Sequence, residues 1–217
     1  MTKLNKKVLI GCDFSINKPA CCVYIPRINS YKFFGWPYKP QKKLPDLYKN
    51  AGVNIIERID DKEKGDDVSA KMRYEVKNAE YISNLIYETL LPYLNEETYI
   101  GFEGISYGSS GDVILQLGGY KYMIMSILSK LVPLKNMFTY SPITVKKTAG
   151  CSKRGLGKHA VIESFISYSN NNTLKTAIKK DKLSFMKKGG NNFVDHLDDL
   201  IDAYWVLETL KEKENIF

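Results

Sequence analysis

Two short apolar runs that each end on a carboxylate constrain the fold of this chain more than any other feature. The first run begins at Val8 and leads to Asp13, and the second begins at Tyr99 and leads to Glu103. Apolar, β-branched runs of this length predict buried strands. An ionised carboxylate at the end of a buried strand is costly unless a positive group shares its site. Two strands therefore offer carboxylates to a charged site, although each acid could instead be a capping or turn residue.

A third set of acids recurs at helical spacing near the C-terminus and comprises Asp195, Asp198, Asp199 and Asp202. All four fall on one side of the predicted helix, so helical phase does not separate them. Asp195 and Asp198 have a spacing like that of a capping box, which predicts that they satisfy free amides at the helix start. Asp199 and Asp202 then remain as candidate metal ligands, and a solvated acidic face is the alternative for all four.

The composition favours a hard divalent cation as the partner of these acids. The chain has only two histidines, and its four cysteines lack the CxxC spacing of a zinc site. Carboxylate oxygens are the ligands that Mg²⁺ and Mn²⁺ prefer. The cysteine pattern also indicates reduced thiols and a cytoplasmic protein, and neither a signal peptide nor a membrane-spanning stretch is expected.

The length and apolar content predict one globular domain. The chain has 217 residues, of which 44% are hydrophobic, enough for a complete core. Between residues 37 and 71 the pattern fails, because three prolines precede a run of charged residues. The prediction is a single domain over residues 1–217 with an irregular insertion at about 37–71.

Positive charge is concentrated in one tract. Between Lys146 and Gly190 eleven lysines and arginines stand against two acids, whereas the whole chain has a net charge of +8. Such a tract beside an acidic cluster is typical of a metal-dependent enzyme that acts on nucleic acid, because lysines neutralise phosphates while acids hold the metal. A solvated lysine surface is the alternative. Within the tract, Lys153 and Arg154 lie in a glycine-rich loop that could approach phosphates or be an exposed connector.

Hydrophobic periodicity predicts a mixed α/β sheet, with three antiparallel strands followed by strands that alternate with helices. The predicted strands are Val8–Asp13, Ala20–Ile25, Tyr31–Trp36, Tyr99–Glu103 and Met137–Ser141. The predicted helices are Arg73–Leu94, Asp112–Leu131, Gly157–Ser167, Lys175–Leu183 and a last one from Asp195 to about Lys211. The helix from Asp112 is apolar almost all round and is expected to be central and buried.

Four motifs in this order resemble the RuvC family of Holliday junction resolvases, and in particular its phage and viral branch. They are Asp13; Phe102-Glu103-Gly104 with Tyr107, Ser109 and Ser110 in the following loop; Tyr140-Ser-Pro142 with Val145-Lys-Lys-Thr148 and Gly150; and Asp199-Leu-Ile-Asp202-Ala203. The resemblance extends from Val8 to Leu207. It departs from compact bacterial members in the span 37–71 and in extra sequence between Lys158 and Asn192.

The resemblance implies an RNase H-like fold with a five-stranded mixed sheet flanked by helices, a homodimer, and metal-dependent cutting of a four-way DNA junction. By motif, the metal-binding and catalytic residues would be Asp13, Glu103, Asp199 and Asp202. Lys146 and Lys147 fall where the family contacts DNA. The expected DNA-binding set also includes Lys153, Arg154, Lys158, Tyr107, Ser109 and Ser110.

The acids also suffice for the chemistry without the resemblance. Two cations held by a shared carboxylate can ionise a water molecule and stabilise the leaving oxygen, so phosphodiester hydrolysis needs no histidine or cysteine nucleophile. Asp13 would bridge two Mg²⁺ or Mn²⁺ ions, Glu103 would bind one, and the helix acids would bind the other. Two alternatives remain open: another RNase H-like nuclease that acts on branched DNA, flaps or RNA–DNA hybrid, and a non-catalytic junction-binding protein.

Overall fold

The computed structural model describes residues 7–38, 44–58, 67–105, 111–153, 156–187 and 192–216. Within these ranges the chain forms one sheet of six strands, one more than predicted. The strands are β1 (Val8–Asp13), β2 (Ala20–Ile25), β3 (Ser30–Gly35), β4 (Val53–Ile55), β5 (Thr98–Glu103) and β6 (Met137–Tyr140). Their order across the sheet is β4-β3-β2-β1-β5-β6.

The sheet is mixed, as predicted. β2 pairs antiparallel with both β1 and β3, which forms the expected meander. β5 pairs parallel with β1, β6 pairs parallel with β5, and β4 pairs parallel with β3. The carboxyl ends of β1, β5 and β6 therefore meet at one edge of the sheet, where the candidate acids lie.

Seven α-helices connect and cover the strands in the described ranges. They are α1 (Leu44–Asn50), α2 (Val68–Leu90), α3 (Gly111–Leu128), α4 (Pro142–Thr148), α5 (Lys158–Tyr168), α6 (Thr173–Lys180) and α7 (Leu197–Glu214). α2 begins five residues before the predicted start, because the side chain of Asp67 accepts a hydrogen bond from the amide of Ala70 at 2.6 Å and caps the helix. Similarly, Ser141 caps α4 instead of ending the strand before it.

The span 37–71 is not irregular throughout, which corrects part of the prediction for it. It contains α1 and β4, and α2 begins within it. α1 is stabilised by burial of Leu44 and Tyr48 in the core, and β4 by its pairing with β3. Both elements depend on partners distant in sequence, so local patterning did not reveal them. Residues 39–43 and 59–66 lie outside the described part of the chain.

α7 is the central helix of the fold. It packs across β1, β2 and β5, and Leu200, Ala203 and Leu207 are completely buried there. The helix approaches the sheet closely at Gly11 on β1, where an added Cβ would overlap the backbone oxygen of Ala203 and the backbone nitrogen of Leu207. Glycine at this position lets the helix backbone rest directly on the strand.

The opposite face of the sheet is covered by α2 and α3. On α3 the side chains of Tyr120, Ile124 and Leu128 are buried against the sheet. On the outer side of the helix, Leu115 is 76% exposed and Tyr122 is 74% exposed. The prediction that this helix is central and buried all round is therefore wrong, because no described element covers its outer side.

Two smaller expectations concern cysteines and membranes. All four cysteines are buried and none forms a disulfide, although the Sγ atoms of Cys12 and Cys21 lie 3.1 Å apart on paired strands. No helix within the described ranges has the length and apolarity needed to span a bilayer.

The contact of α7 with β1 yields a stability prediction. Gly11→Ala should lower the free energy of unfolding by at least about 1–3 kcal/mol, because the new methyl group overlaps backbone atoms that cannot move independently. The matched control is Gly119→Ala on α3, where an added Cβ meets nothing within 4 Å. That change should be neutral or should stabilise the protein by about 0.5–1 kcal/mol. Equal effects in urea unfolding would contradict this account of the packing.

Candidate active site

The ends of two neighbouring strands place Asp13 beside Glu103. β1 and β5 are parallel and in register, with Cys12 opposite Phe102, and the two acids follow one residue later. Cys12 and Phe102 face the core under α2 and α3. Because side chains alternate along a strand, Asp13 and Glu103 point to the other face, towards α7. The two carboxyl groups are joined by a hydrogen bond.

The first turns of α7 bring the remaining acids to the same place. Asp198, Asp199 and Asp202 line a cleft together with Asp13 and Glu103. The cleft has a volume of about 610 Å³. Its wall also includes three lysines, Lys121, Lys146 and Lys158. All four sequence-predicted catalytic acids therefore meet in one cleft, with cationic side chains around them.

Burial makes both Asp13 and Glu103 hard to ionise. Burial raises the pKa of Asp13 well above its usual range, and the negative charges of Glu103 and Asp202 raise it further. Burial also raises the pKa of Glu103, against the opposing effects of its hydrogen bond with Asp13 and of Lys146. A cation beside the two carboxyl groups would favour their ionised forms and oppose the effect of burial.

Asp202 is affected in the same way. Burial raises its pKa to about 8, and the neighbouring charge of Glu103 adds to the effect. Three carboxyl groups whose ionisation is suppressed in the metal-free protein would all ionise beside a divalent cation. This donor set fits Mg²⁺ or Mn²⁺, which prefer carboxylate oxygens, and does not fit a soft metal.

The acids are not held as a ready-made metal cage. Among the described residues, no group of three histidine, cysteine, aspartate or glutamate side chains is close enough to hold a metal ion. Asp198 accepts a hydrogen bond from Lys158, and Asp199 accepts one from His196 through Oδ2. Binding a cation would therefore require the carboxyl groups of the cleft to come closer together.

Asp198 is not a helix cap, which corrects the sequence prediction. Its carboxylate forms an ion pair with Lys158 at the rim of the cleft. Burial is the largest influence and opposes ionisation of Asp198, but the hydrogen bond and the charge of Lys158, together with smaller effects, lower its pKa. Lys158, predicted to contact DNA, is thus held beside the acids by Asp198 in the free protein.

Asp195 is not a cap either, because the residue at the cap position is His196. α7 begins at Leu197, one residue after His196, and the cap makes no side-chain hydrogen bond to the helix amides. Asp195 pairs instead with Lys187, with Nζ 2.6 Å from Oδ1. The capping-box spacing predicted the wrong cap residue, because the turn before α7 places His196 at the cap position in a left-handed conformation with a φ of 73°.

The predicted DNA-binding residues are only partly brought to the cleft. Lys146 and Lys158 line it, whereas Lys147 and Lys153 are exposed outside its wall. Lys146 and Lys147 lie in the last turn of α4, where positive charge is favoured by the helix dipole. Four other predicted contacts, Tyr107, Ser109, Ser110 and Arg154, lie outside the described residues.

Lys121 is a residue of the cleft that the sequence did not predict. It lies on α3, is only 8% exposed, and donates from Nζ to the backbone oxygen of Glu103 at 3.1 Å. Burial lowers its pKa to about 8, partly opposed by Cys12 and Glu103. The sequence feature that could have predicted this role is a lysine between two tyrosines in an otherwise apolar helix.

The raised pKa of Asp202 predicts how stability of the metal-free protein depends on pH. The folded pKa of about 8 exceeds the unfolded value of about 3.9. The proton on Asp202 therefore contributes stability that is complete below the unfolded pKa and is lost as the pH rises through the folded pKa. In EDTA, raising the pH from 5 to 9 should lower the free energy of unfolding of the wild-type protein.

Asp202→Asn cannot ionise and should lose less stability over the same pH interval. Asp46→Asn, on exposed α1 surface away from the cleft, is the matched control and should behave like wild type. Denaturant unfolding at several pH values measures the difference. Identical pH dependence in wild type and Asp202→Asn would contradict the assignment.

Comparison with known proteins places this cleft on a known fold. No protein-family model and no curated protein matches the chain. RuvC of Thermus thermophilus aligns with a TM-score of 0.53 at 12% identity, over 96% of this chain and 96% of that one. T. thermophilus RuvC in complex with a Holliday junction substrate aligns with a TM-score of 0.51 at 11% identity, over 97% of each chain. The chain therefore has the mixed α/β, RNase H-like fold of RuvC, as predicted.

Proposed function

We propose that this protein is a divalent-metal-dependent endonuclease that resolves four-way DNA junctions. The observation that carries the proposal is the meeting of Asp13, Glu103, Asp199 and Asp202 in one cleft at the carboxyl ends of β1 and β5. The fold is that of RuvC, and one of the aligned RuvC structures holds a Holliday junction substrate. The motifs also resemble the phage and viral branch of that family, and we place the protein there.

In this proposal Asp13, Glu103, Asp199 and Asp202 would hold two Mg²⁺ or Mn²⁺ ions. The chemistry that these ions supply when bound is activation of water and stabilisation of negative charge on phosphate oxygens. Asp13 and Asp202 are only partly exposed in the cleft, and this limited hydration strengthens their interaction with a cation. Neither cysteine nor histidine is needed as a nucleophile.

The lysines of the cleft provide the complementary charge for DNA. Lys146 and Lys158 lie on different helices, α4 and α5, and both line the cleft that holds the acids. A phosphate bound there would meet these two lysines. The ion pair with Asp198 keeps Lys158 beside the cleft in the absence of DNA. On DNA binding, Lys158 would exchange this ion pair for a contact with a phosphate.

The proposal also includes the oligomeric state and the cellular location of the protein. A four-way junction requires two symmetric cuts, so we propose a homodimer with one cleft in each subunit. Light scattering that finds only monomer in the presence of a junction would contradict this part. The buried cysteines without disulfides support a cytoplasmic setting, which for a phage or viral protein is the cytoplasm of the host cell.

The first functional prediction concerns substrate and metal. With Mg²⁺, the protein should cut a synthetic four-way junction in preference to linear duplex, a flap and an RNA–DNA hybrid, and EDTA should stop the reaction. Preferred cutting of a flap or hybrid would instead support another RNase H-like nuclease. Junction binding without cutting in either Mg²⁺ or Mn²⁺ would support a non-catalytic binding protein.

The same assay tests the acids one at a time. Asp13→Asn, Glu103→Gln, Asp199→Asn and Asp202→Asn should each abolish cleavage and keep junction affinity within a few-fold, because affinity comes from the lysines. The matched control is Asp195→Asn, since Asp195 pairs with Lys187 rather than lining the cleft. Loss of cleavage in Asp195→Asn together with normal cleavage in Asp199→Asn would contradict this assignment of the metal ligands.

The second functional prediction concerns salt dependence. Replacing Lys146 and Lys147 by glutamine should weaken junction binding and flatten the plot of log affinity against log salt concentration. Each lost phosphate contact should reduce the slope by about 0.9. Lys135→Gln is the control, because Lys135 is exposed just before β6, at the far end of that strand from the cleft. An unchanged slope in the double variant would exclude α4 from the DNA interface.

A further inference from the structure

One buried histidine contacts a candidate metal ligand from outside the cleft. His196 precedes α7, is only 2% exposed, and does not line the cleft. Its Nδ1 lies 3.2 Å from Oδ2 of Asp199. Asp199 does line the cleft, and its side chain is 13% exposed. The histidine therefore contacts the acid from the protein interior.

The surroundings of the ring indicate which nitrogen carries the proton. An ionised carboxylate can only accept, so Nδ1 must donate to Asp199. Nε2 is buried and has no hydrogen-bond partner among the described residues. The neutral tautomer with its proton on Nδ1 suits both facts, because it leaves no unpaired N–H in the interior.

Two other elements hold the ring in place. A Cβ added at Gly35, at the end of β3, would overlap Nε2 of His196, so the ring lies directly against the strand backbone. The ring of Tyr48 also meets the imidazole edge to face, with centroids 6.4 Å apart. The hydroxyl of Tyr48 donates to the backbone oxygen of Asp195 at 2.6 Å and secures the preceding turn.

The left-handed backbone conformation of His196 adds a conformational energy cost to this arrangement. Its φ of 73° is unfavourable for a residue with a Cβ, and glycine or asparagine would adopt it more readily. The side chain makes no capping hydrogen bond that would explain histidine there. Its one polar contact within the described residues is with Asp199.

We infer that His196 is a positioning residue that orients the carboxylate of Asp199 for metal binding, with Gly35 and Tyr48 as its supports. The inference rests on the proposed function, because it takes Asp199 as a metal ligand. A hydrogen bond to one oxygen fixes the rotation of the carboxylate and lowers the cost of ordering it when a cation binds. Outer hydrogen bonds of this kind typically contribute 10- to 100-fold to metal affinity.

Calorimetric titration with Mn²⁺ in the absence of DNA tests the inference. His196→Gly permits the left-handed backbone but removes the donor, and should raise the Kd for Mn²⁺ by about 10- to 100-fold. His196→Asn places an amide N–H the same number of bonds from Cα as Nδ1 and also permits the backbone conformation. It should bind Mn²⁺ with nearly wild-type affinity. His159→Ala, which removes the other, exposed histidine on α5, is the control and should have no effect.

A second pair of variants does not depend on the folding of His196→Gly. Gly35→Ala should displace the imidazole and weaken Mn²⁺ binding. Adding His196→Asn, which has no atom at the position of Nε2, should restore the affinity. A purely structural role would change melting temperature in these variants without this pattern of loss and rescue.

The outcomes separate this inference from the proposed function. Equal Mn²⁺ affinity in wild type and His196→Gly, or failure of His196→Asn to rescue Gly35→Ala, would overturn the role of His196 and leave the metal site standing. A wild-type protein that binds no Mn²⁺ would overturn both.

Discussion

The direct contact of α7 with the backbone of β1 is the constraint on which the cleft depends. Because Gly11 has no side chain, the helix rests on the strand at Ala203 and Leu207. Asp202 then lies beside Asp13, at the point where the strand ends. A side chain at Gly11 would lift the helix and move its acids away from those of the strands. The position of the acids in the cleft therefore depends on the packing of the core.

The consequence of this packing is a site in which several carboxyl groups are hard to ionise. Burial suppresses ionisation of Asp13, Glu103 and Asp202, and the charge of Glu103 makes Asp13 and Asp202 harder still to ionise. Nearby lysines reduce the repulsion without removing it. Such a site gives up stability in exchange for the capacity to bind positive charge, as is common where function requires strained electrostatics. The same imbalance favours a divalent cation over a neutral ligand.

The span 37–71 connects the edge of the sheet to this site. β4 extends the sheet beside β3, and α1 directs Tyr48 to the turn before α7. Support for Asp199 therefore comes from a segment far away in sequence, through Tyr48 and His196. This arrangement gives the extra span a use beyond covering the core, and it explains why Tyr48 is almost completely buried although it lies on a short helix.

The sequence by itself determined the strands that end in acids, the antiparallel meander and the four candidate ligands, because these follow from local periodicity and from chemistry that needs carboxylates. It also indicated a resemblance that agrees with the observed fold. Only the tertiary structure decided the roles of Asp198, Lys121 and His196, whose partners are distant along the chain or, for His196, set by a left-handed turn. Likewise β4 exists because β3 offers it a partner, and the outer side of α3 is exposed because nothing described covers it. Local patterns report which residues can be buried or charged, whereas long-range packing decides which of them meet.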